Sequence, residues 1–188
     1  MASRASSAAI RIGIVADSVN PLQEASVQVM SHLLGSRQTG FLRYILGHQR
    51  GLCYDVGVRY DRSSHFGHLR IDAKVPAAEV ERSLENIFAA ISSFAYKPIT
   101  REDLLAAKLA TKYHLYNAQI RSAIDVNEGL LRALEQRVDS TLALDKRLRH
   151  IDSVTRQTLQ ASIDKYLDLT RDHGKYVLLI RTPLYTQP

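Results

Sequence analysis

The segment Leu33–Val56 shows how the chain is organised, and it reads LLGSRQTGFLRYILGHQRGLCYDV. A short helix is predicted after Gly35, because apolar residues there recur at helical spacing. Its buried side would carry Phe41, Leu42, Tyr44, Ile45 and Leu46. From Leu52 the apolar residues instead recur at every second position. This change of period predicts that the helix is followed by a β-strand with one buried face.

The strand that begins at Leu52 is predicted to form one arm of a β-hairpin. Its apolar residues alternate with polar ones as far as Asp61, and Arg62, Ser63 and Ser64 supply a turn. A second alternating run then follows from His68 to Val75. Two such runs joined by a short turn are typical of an antiparallel pair with one buried and one solvated face.

Outside the hairpin, the sequence predicts one strand near each end of the chain and helices between them. Alternation at 10–15 predicts the first strand, while Asn20 as a cap and Pro21 at the first helical position predict a helix that ends at Gly35. One further helix is predicted after Pro76, and another from Thr100 to about Arg121, with Leu105, Leu109 and Tyr116 at helical spacing. More helices are predicted over Ala123–Arg137, Leu142–His150 and Thr155–Thr170. A last strand is predicted at Tyr176–Arg181.

This order of elements predicts an α+β fold, in which a mostly antiparallel or mixed sheet is covered on one face by several helices. Residues 10–183 are predicted to form a single domain, preceded by a poorly structured N-terminal lead at 1–9. The length of 188 residues, with 45% hydrophobic and 23% charged residues, agrees with one globular domain.

Composition also bears on the partners and the compartment of the chain. The net charge of +6 would suit nucleic acid if the basic residues clustered, but they alternate with acidic ones and no docking motif is present. We therefore expect no nucleic-acid partner. No apolar run is long enough for a membrane span, and Met1–Ser7 lacks the apolar core of a signal peptide. Cys53 is the only cysteine, so no internal disulfide can form and the localisation stays open.

The quoted segment resembles a stretch of the insulinase and pitrilysin family of zinc metallopeptidases. In that family a Leu-Gly turn precedes a helix that ends in Leu-Arg-Glu-Lys-Arg-Gly-Leu-Ala-Tyr-Ser-Val. The residues in step with this pattern are Arg50, Gly51, Leu52, Tyr54 and Val56. The resemblance continues through the hairpin, the helix start at Ile99–Thr100 and the Val154–Thr155 pair, and so covers nearly the whole chain.

The resemblance implies a division of labour between domains. One domain of such a peptidase carries a helical His-x-x-Glu-His motif for zinc, and a later domain of processing-peptidase type forms part of the wall of the substrate chamber. This chain has no such motif, so we expect it to contain no catalytic residue and no metal ligand. The expected zinc would belong to a catalytic domain of the same polypeptide or of a partner chain.

Active members of the family hold the peptide substrate near the zinc with an Arg and a Tyr seven residues apart. Tyr54 matches the Tyr, but Gly47 stands where the Arg is expected. Neither of the nearby arginines, Arg43 and Arg50, has the family spacing, and Arg50 matches the more structural Arg before the Gly. The residues in step with the family segment that could contact substrate are Tyr54 and Arg50, and these are the substrate-binding candidates. Two structural roles stay open, because Tyr54 could be a half-buried core residue and Arg50 could cap the preceding helix.

Other side chains give little support for a site of their own. His65 and His68 are three residues apart, which on a strand directs them to opposite faces. Cys53 has no neighbouring base at a recognisable spacing, and the serines lack a nucleophile elbow. The sequence thus favours a non-catalytic domain that forms a chamber wall and contacts peptide. The alternative is a structural subunit that resembles the core subunits of respiratory complexes, which the Gly47 departure favours.

Overall fold

The computed structural model describes residues 7–17, 20–36, 39–62, 66–124, 140–168 and 176–182. Four strands form one antiparallel sheet with the order β2-β3-β1-β4. The strands are β1 (Ser7–Val15), β2 (Asp55–Arg62), β3 (Gly67–Pro76) and β4 (Tyr176–Arg181). The predicted α+β fold is confirmed, and within these residues the sheet is antiparallel throughout.

Helices and helical turns cover one face of this sheet. They are α1 (Pro21–Gly35), a π-helix (Arg43–Gln49), a 3-10 turn (Ala77–Glu79), α2 (Val80–Ala95), α3 (Arg101–Ile124), α4 (Ser140–Ser153) and α5 (Arg156–Tyr166). Helix α1 contacts β2, α3, α4 and α5, while α2 contacts β1, β3 and the π-helix. Most of the predicted helix at Ala123–Arg137 lies outside the described residues, as do Ser63, Ser64, His65 and residues 1–6 of the predicted lead.

Alternation in the sequence divides the sheet into a buried and an open face. Ile10, Ile12 and Ile14 of β1 are buried beside Leu69 and Ile71 of β3. The residues between them point to the open face, which bears charged side chains such as Arg11, Arg70 and Asp72. Strand β1 begins at Ser7, earlier than the predicted Ile10, because its pairing with β3 extends to Ser7 opposite Pro76.

Two helix starts form as the sequence predicts, because the capping groups are local. Asn20 Oδ1 accepts a hydrogen bond from the backbone N–H of Gln23 at 2.9 Å, and Pro21 opens α1. Thr155 caps α5, where Leu159 and Ile163 are buried. These contacts satisfy backbone N–H groups that would otherwise lack a partner at the helix start.

Helix α3 packs through a different set of residues from the ones that mark it in the sequence. Leu105, Leu109 and Tyr116 are exposed, whereas Leu104, Ala107, Thr111 and Leu115 are buried. Thr111 is able to face the core because its hydroxyl donates to the carbonyl oxygen of Ala107 at 2.7 Å. This side of α3 is the one that contacts α1.

A partly buried histidine, His32, lies in the contact between α1 and α3. His32 Nδ1 is 3.0 Å from the carbonyl oxygen of Gln28 and 3.3 Å from the hydroxyl of Thr111, and its ring lies edge-on to His114. Burial lowers the pKa of His32, the backbone bond to Gln28 opposes this, and the charge of His114 lowers the pKa further. The neutral imidazole is therefore the form that the folded chain favours.

We expect this histidine to make the stability depend on pH. Its pKa is lower in the folded than in the unfolded chain, so its contribution is full above the ordinary value of about 6.5 and is lost as pH falls below that value. The melting temperature, measured from pH 8 to pH 5, should fall less steeply for His32→Gln than for the wild type. Equal slopes for His32→Gln and the wild type would contradict the assignment.

Candidate functional site

The junction between the π-helix and β2 is built around Gly51. Its φ of 61° lies in the left-handed region, which costs other L-residues about 1–2 kcal/mol. The N–H of Leu52 then donates to the carbonyl oxygen of Leu46 at 2.9 Å, and the Leu52 side chain is buried. These contacts fix the direction in which the chain leaves the helix and enters the sheet.

The helix before this junction is a π-helix, a wide turn that often occurs at functional sites. Leu42 and Leu46 are fully buried and anchor it against the core. Tyr44 was predicted on the buried side, and that prediction is wrong, because its side chain is 55% exposed. Tyr44 lies two positions from each anchor and so on the opposite side of the helix.

Arg43 links the π-helix to the start of β2. Its Nη1 donates to the backbone carbonyl oxygen of Tyr54 at 2.9 Å. The side chain runs across Gly47, where an added Cβ would lie 3.5 Å from Arg43 Cδ and 3.6 Å from Nε. These are ordinary van der Waals distances, so the Arg43 side chain lies directly over position 47.

Tyr54 has a fixed backbone and an accessible side chain. Its N–H donates to the carbonyl oxygen of Lys74 at 2.8 Å, and its own carbonyl oxygen receives the bond from Arg43. The side chain is 52% exposed, and no hydrogen bond joins its hydroxyl to the part of the chain that the structure describes. A phenol held in this way is able to donate to a ligand from the surface.

Arg50 lies in the turn after the π-helix and is exposed. Within the described residues, no side-chain bond ties its guanidinium to the helix carbonyls or to Tyr54. The structure therefore brings together Arg43 and Tyr54, and it leaves Arg50 at the edge of the pair. Residues four positions apart on a helix lie on one face, so the sequence indicates that Arg43 and Gly47 are neighbours, but not that Arg43 reaches Tyr54.

Cys53 lies beside this pair but is half-buried. Its Sγ donates to the carbonyl oxygen of Asp55 at 3.0 Å. Burial raises the pKa of the thiol above its ordinary value, while the charge of Arg43 opposes this increase. The thiol is therefore protonated at neutral pH and is a weak nucleophile.

A small cavity opens at the start of the π-helix. Its volume is about 290 Å³, and apolar side chains of Phe41, Tyr44 and Phe94 line it. The ion pair between Lys97 and Asp103, at 3.4 Å, lies at its edge. Tyr44 thus lines the cavity and directly follows Arg43 in the sequence.

Metal-ligating side chains do not gather in the part of the chain that the structure describes. His68 Nε2 is 4.0 Å from Asp61 Oδ2, and His32 meets only His114 among the histidines. No group of three or more His, Cys, Asp or Glu residues there is arranged to hold a metal ion. None of the described helices is both long enough and apolar enough to cross a membrane.

Comparison with known proteins identifies the fold and the family. The family model described as the peptidase M16 inactive domain matches residues 3–111, which confirms the resemblance stated from the sequence. The peptidase M16 inactive domain from Pseudomonas fluorescens is similar in structure, with a TM-score of 0.72 and 19% identity over 97% of this chain and 42% of that chain. This chain therefore spans less than half of that protein. No curated protein sequence matches it.

Two further structures bear on the two functions considered above. The inactive peptidase domain of a proposed zinc protease from Bordetella parapertussis has a TM-score of 0.74 and 14% identity, and covers 100% of this chain and 99% of that chain. A chain of Complex III2 from Candida albicans has a TM-score of 0.70 and 13% identity, over 96% of this chain and 44% of that chain. At such identities the likeness concerns the fold alone.

Proposed function

Since this chain belongs to the peptidase M16 inactive domain family, we propose that it is the non-catalytic half of a zinc peptidase and contacts the peptide substrate through Arg43 and Tyr54. The zinc and the base that activates water would belong to a companion domain with a His-x-x-Glu-His motif. This chain would form the facing wall of the chamber.

The observation that carries this proposal is the contact between Arg43 and Tyr54. The family arginine is replaced by Gly47, yet Arg43 crosses Gly47 and reaches the backbone of Tyr54. A guanidinium has several N–H donors, so one can hold the tyrosine while others bind a carbonyl or carboxylate group of a peptide. The arginine and the tyrosine are thus close together in space although their spacing in the sequence has changed.

The neighbouring cavity supports a peptide as the ligand. Tyr44 lines the cavity, although Arg43 and Tyr54 do not, so a peptide held by its backbone at those two residues would extend past Tyr44 to place a side chain there. Aromatic rings together with a few polar and charged groups, here Lys97 and Asp103, are a usual lining of a binding site. Arg50 remains a candidate for the charged end of the same peptide, since it is exposed at the junction.

The second candidate function is a purely structural subunit. The loss of arginine at position 47 and the likeness to a chain of Complex III2 both favour it. In that case Arg43 would only fasten the π-helix to β2, and Tyr54 would bind nothing. The two functions differ in whether substitutions at these residues change turnover or only stability.

The first test separates this chain from the companion domain. We expect the isolated chain to bind no stoichiometric zinc and to cleave no peptide, because the described residues offer no suitable set of ligands. Mixing it with the zinc-bearing companion domain should produce peptide turnover that neither component shows alone. Turnover is followed with a fluorogenic peptide, and bound zinc by elemental analysis of the protein after dialysis. Chelator-sensitive turnover by the pure chain would contradict the proposal.

A further inference from the structure

Two parts of the chain form the cavity at the start of the π-helix. Phe41 and Tyr44 lie at the start of that helix, whereas Phe94 and Lys97 lie at the end of α2 and just after it. The ring centroids of Phe41 and Phe94 are 5.3 Å apart, and Phe94 is buried in the core. Tyr44 is half-exposed. The cavity therefore has one aromatic wall that the core holds in place and one aromatic ring that solvent reaches.

Lys97 brings a positive charge to this aromatic wall. Its ammonium lies 5.8 Å from the centroid of the Phe41 ring, and its side chain is 40% exposed. Its Nζ is 3.4 Å from Asp103 Oδ2, whereas hydrogen bonds between charged groups are usually about 2.7–2.9 Å long. An ammonium group has several N–H donors. The long ion pair therefore leaves Lys97 able to bind a second acceptor.

Asp103 is held in place without the help of Lys97. Its Oδ2 accepts a hydrogen bond from the N–H of Thr100 at 3.2 Å, and its own N–H donates to the Thr100 hydroxyl at 3.0 Å, so the two residues cap the start of α3. Burial favours the neutral carboxyl, but the hydrogen bonds with Thr100 and the charge of Lys97 outweigh it and hold the pKa of Asp103 below its ordinary value. Lys97 can thus turn towards a ligand while Asp103 stays paired.

Size and charge together indicate which ligand fits this cavity. Its volume of about 290 Å³ is just below the roughly 300–1,000 Å³ of pockets that hold drug-sized ligands, so about one amino-acid residue would fill it. A cationic side chain would be repelled by Lys97, which already lies over the ring of Phe41. A large apolar side chain suits the rings, and a carboxylate suits the ammonium. The C-terminal residue of a peptide carries both groups within one residue.

We propose that this cavity binds the C-terminal residue of a peptide, with a large apolar side chain against Phe41 and Phe94 and the terminal carboxylate on Lys97. The inference rests on the proposed function in one respect, namely that the ligand is a peptide. The rest of the peptide would leave the cavity past Tyr44 towards Arg43. Lys97 is then a specificity-determining residue, which selects peptides by their free C-terminus.

Binding of matched peptides to the full chain tests the proposal without any catalysis. The probe is a fluorescently labelled hexapeptide that ends in phenylalanine as the free acid. It is compared with the same peptide as a C-terminal amide and with a free acid that ends in alanine, and fluorescence anisotropy follows binding. The amide should bind about fivefold more weakly, as expected for the loss of a partly exposed ion pair. The alanine peptide should bind about tenfold more weakly, because a large apolar side chain is no longer buried.

Substitution of Lys97 shows whether its charge recognises the terminus. Lys97→Met removes the charge and keeps a long side chain, so it should bind the acid and the amide equally, while Lys97→Arg should keep most of the preference for the acid. Lys74→Met is the control at an exposed lysine on the sheet and should keep the wild-type ratio. In the assembled peptidase, amidation of the substrate should raise KM and leave kcat nearly unchanged, because the C-terminus is bound equally in the ground state and the transition state.

Several results would overturn the proposal. Equal binding of the acid and the amide by the wild type is one, and a preference for the acid that survives Lys97→Met is another. An alanine peptide that binds as tightly as the phenylalanine peptide would exclude the cavity as the site. Arg50 does not line the cavity, so a preference that is lost in Arg50→Met but kept in Lys97→Met would assign the carboxylate to Arg50. None of these results depends on turnover, so they are distinguishable from a failure of Arg43→Ala to slow the peptidase.

Discussion

Arg43→Ala should lower kcat/KM of the peptidase assembled from this chain and its companion domain by about 10- to 150-fold. Loss of a hydrogen bond from a charged donor corresponds to about 1.5–3 kcal/mol, which sets this range. Arg43→Lys should recover only part of the rate, because an ammonium group lacks the planar fork of the guanidinium. The measurement is steady-state hydrolysis of a fluorogenic peptide, with Arg59→Ala as a control at an exposed arginine on the sheet.

A second substitution tests whether Arg43 raises turnover because its guanidinium lies beside Tyr54, or only because it stabilises the fold. Gly47 is helical and has no positive φ, and a Cβ there would make ordinary contacts with the Arg43 side chain. In the Arg43→Ala background that space is vacant, so Gly47→Arg should restore much of the lost rate. A rate that Arg43→Ala leaves unchanged would show that Arg43 only fastens the π-helix to β2.

Gly35→Ala should lower the free energy of unfolding by about 2–3 kcal/mol. A Cβ at this position would lie 2.2 Å from Val58 Cγ2 and 2.4 Å from the backbone nitrogen of Val58. Because one of these atoms is backbone, β2 would have to move away from the end of α1. Overpacking of this kind costs about 1–3 kcal/mol, and the higher helix propensity of alanine offsets only part of it.

The same substitution at Gly13 provides the matched control. An added Cβ at Gly13 would meet nothing within 4 Å, since this glycine faces the open side of β1. Gly13→Ala should therefore leave the stability unchanged or raise it by about 0.5–1 kcal/mol. Urea unfolding of both variants measures the difference. Equal stabilities would mean that the close contact between α1 and β2 does not limit residue 35.

Local patterns explain why much of the fold could be predicted from the sequence. The bounds of α1 and β4 follow from Asn20, Pro21 and Gly35, and from a dense run of β-branched and apolar residues at 176–181. These signals depend on neighbours in the chain and on the fixed periods of helix and strand. The antiparallel hairpin of β2 and β3 likewise follows from the two-residue period of its apolar residues.

The features that could not be predicted depend on contacts between distant residues. Helix α3 is apolar on more than one side, so only its contact with α1 decides that Leu104 is buried and Leu105 is exposed. The partner of Tyr54 likewise depends on the path of one side chain across Gly47 in a π-helix, a geometry that the 3.6-residue period does not anticipate. The match to the Arg-Gly pair of the family segment suggested Arg50, and the sequence did not indicate that the guanidinium of Arg43 reaches the backbone of Tyr54.

Tyr54→Phe, with turnover and melting temperature measured on the same preparations, tests most directly whether this chain is a working half of a peptidase. The hydroxyl is on a half-exposed side chain, so its removal should leave the melting temperature nearly unchanged. Turnover in the assembled peptidase should fall about tenfold or more, since a lost contact to the transition state costs up to about 4 kcal/mol. An unchanged rate together with a lower melting temperature would contradict the account and would leave a structural subunit as the function of this chain.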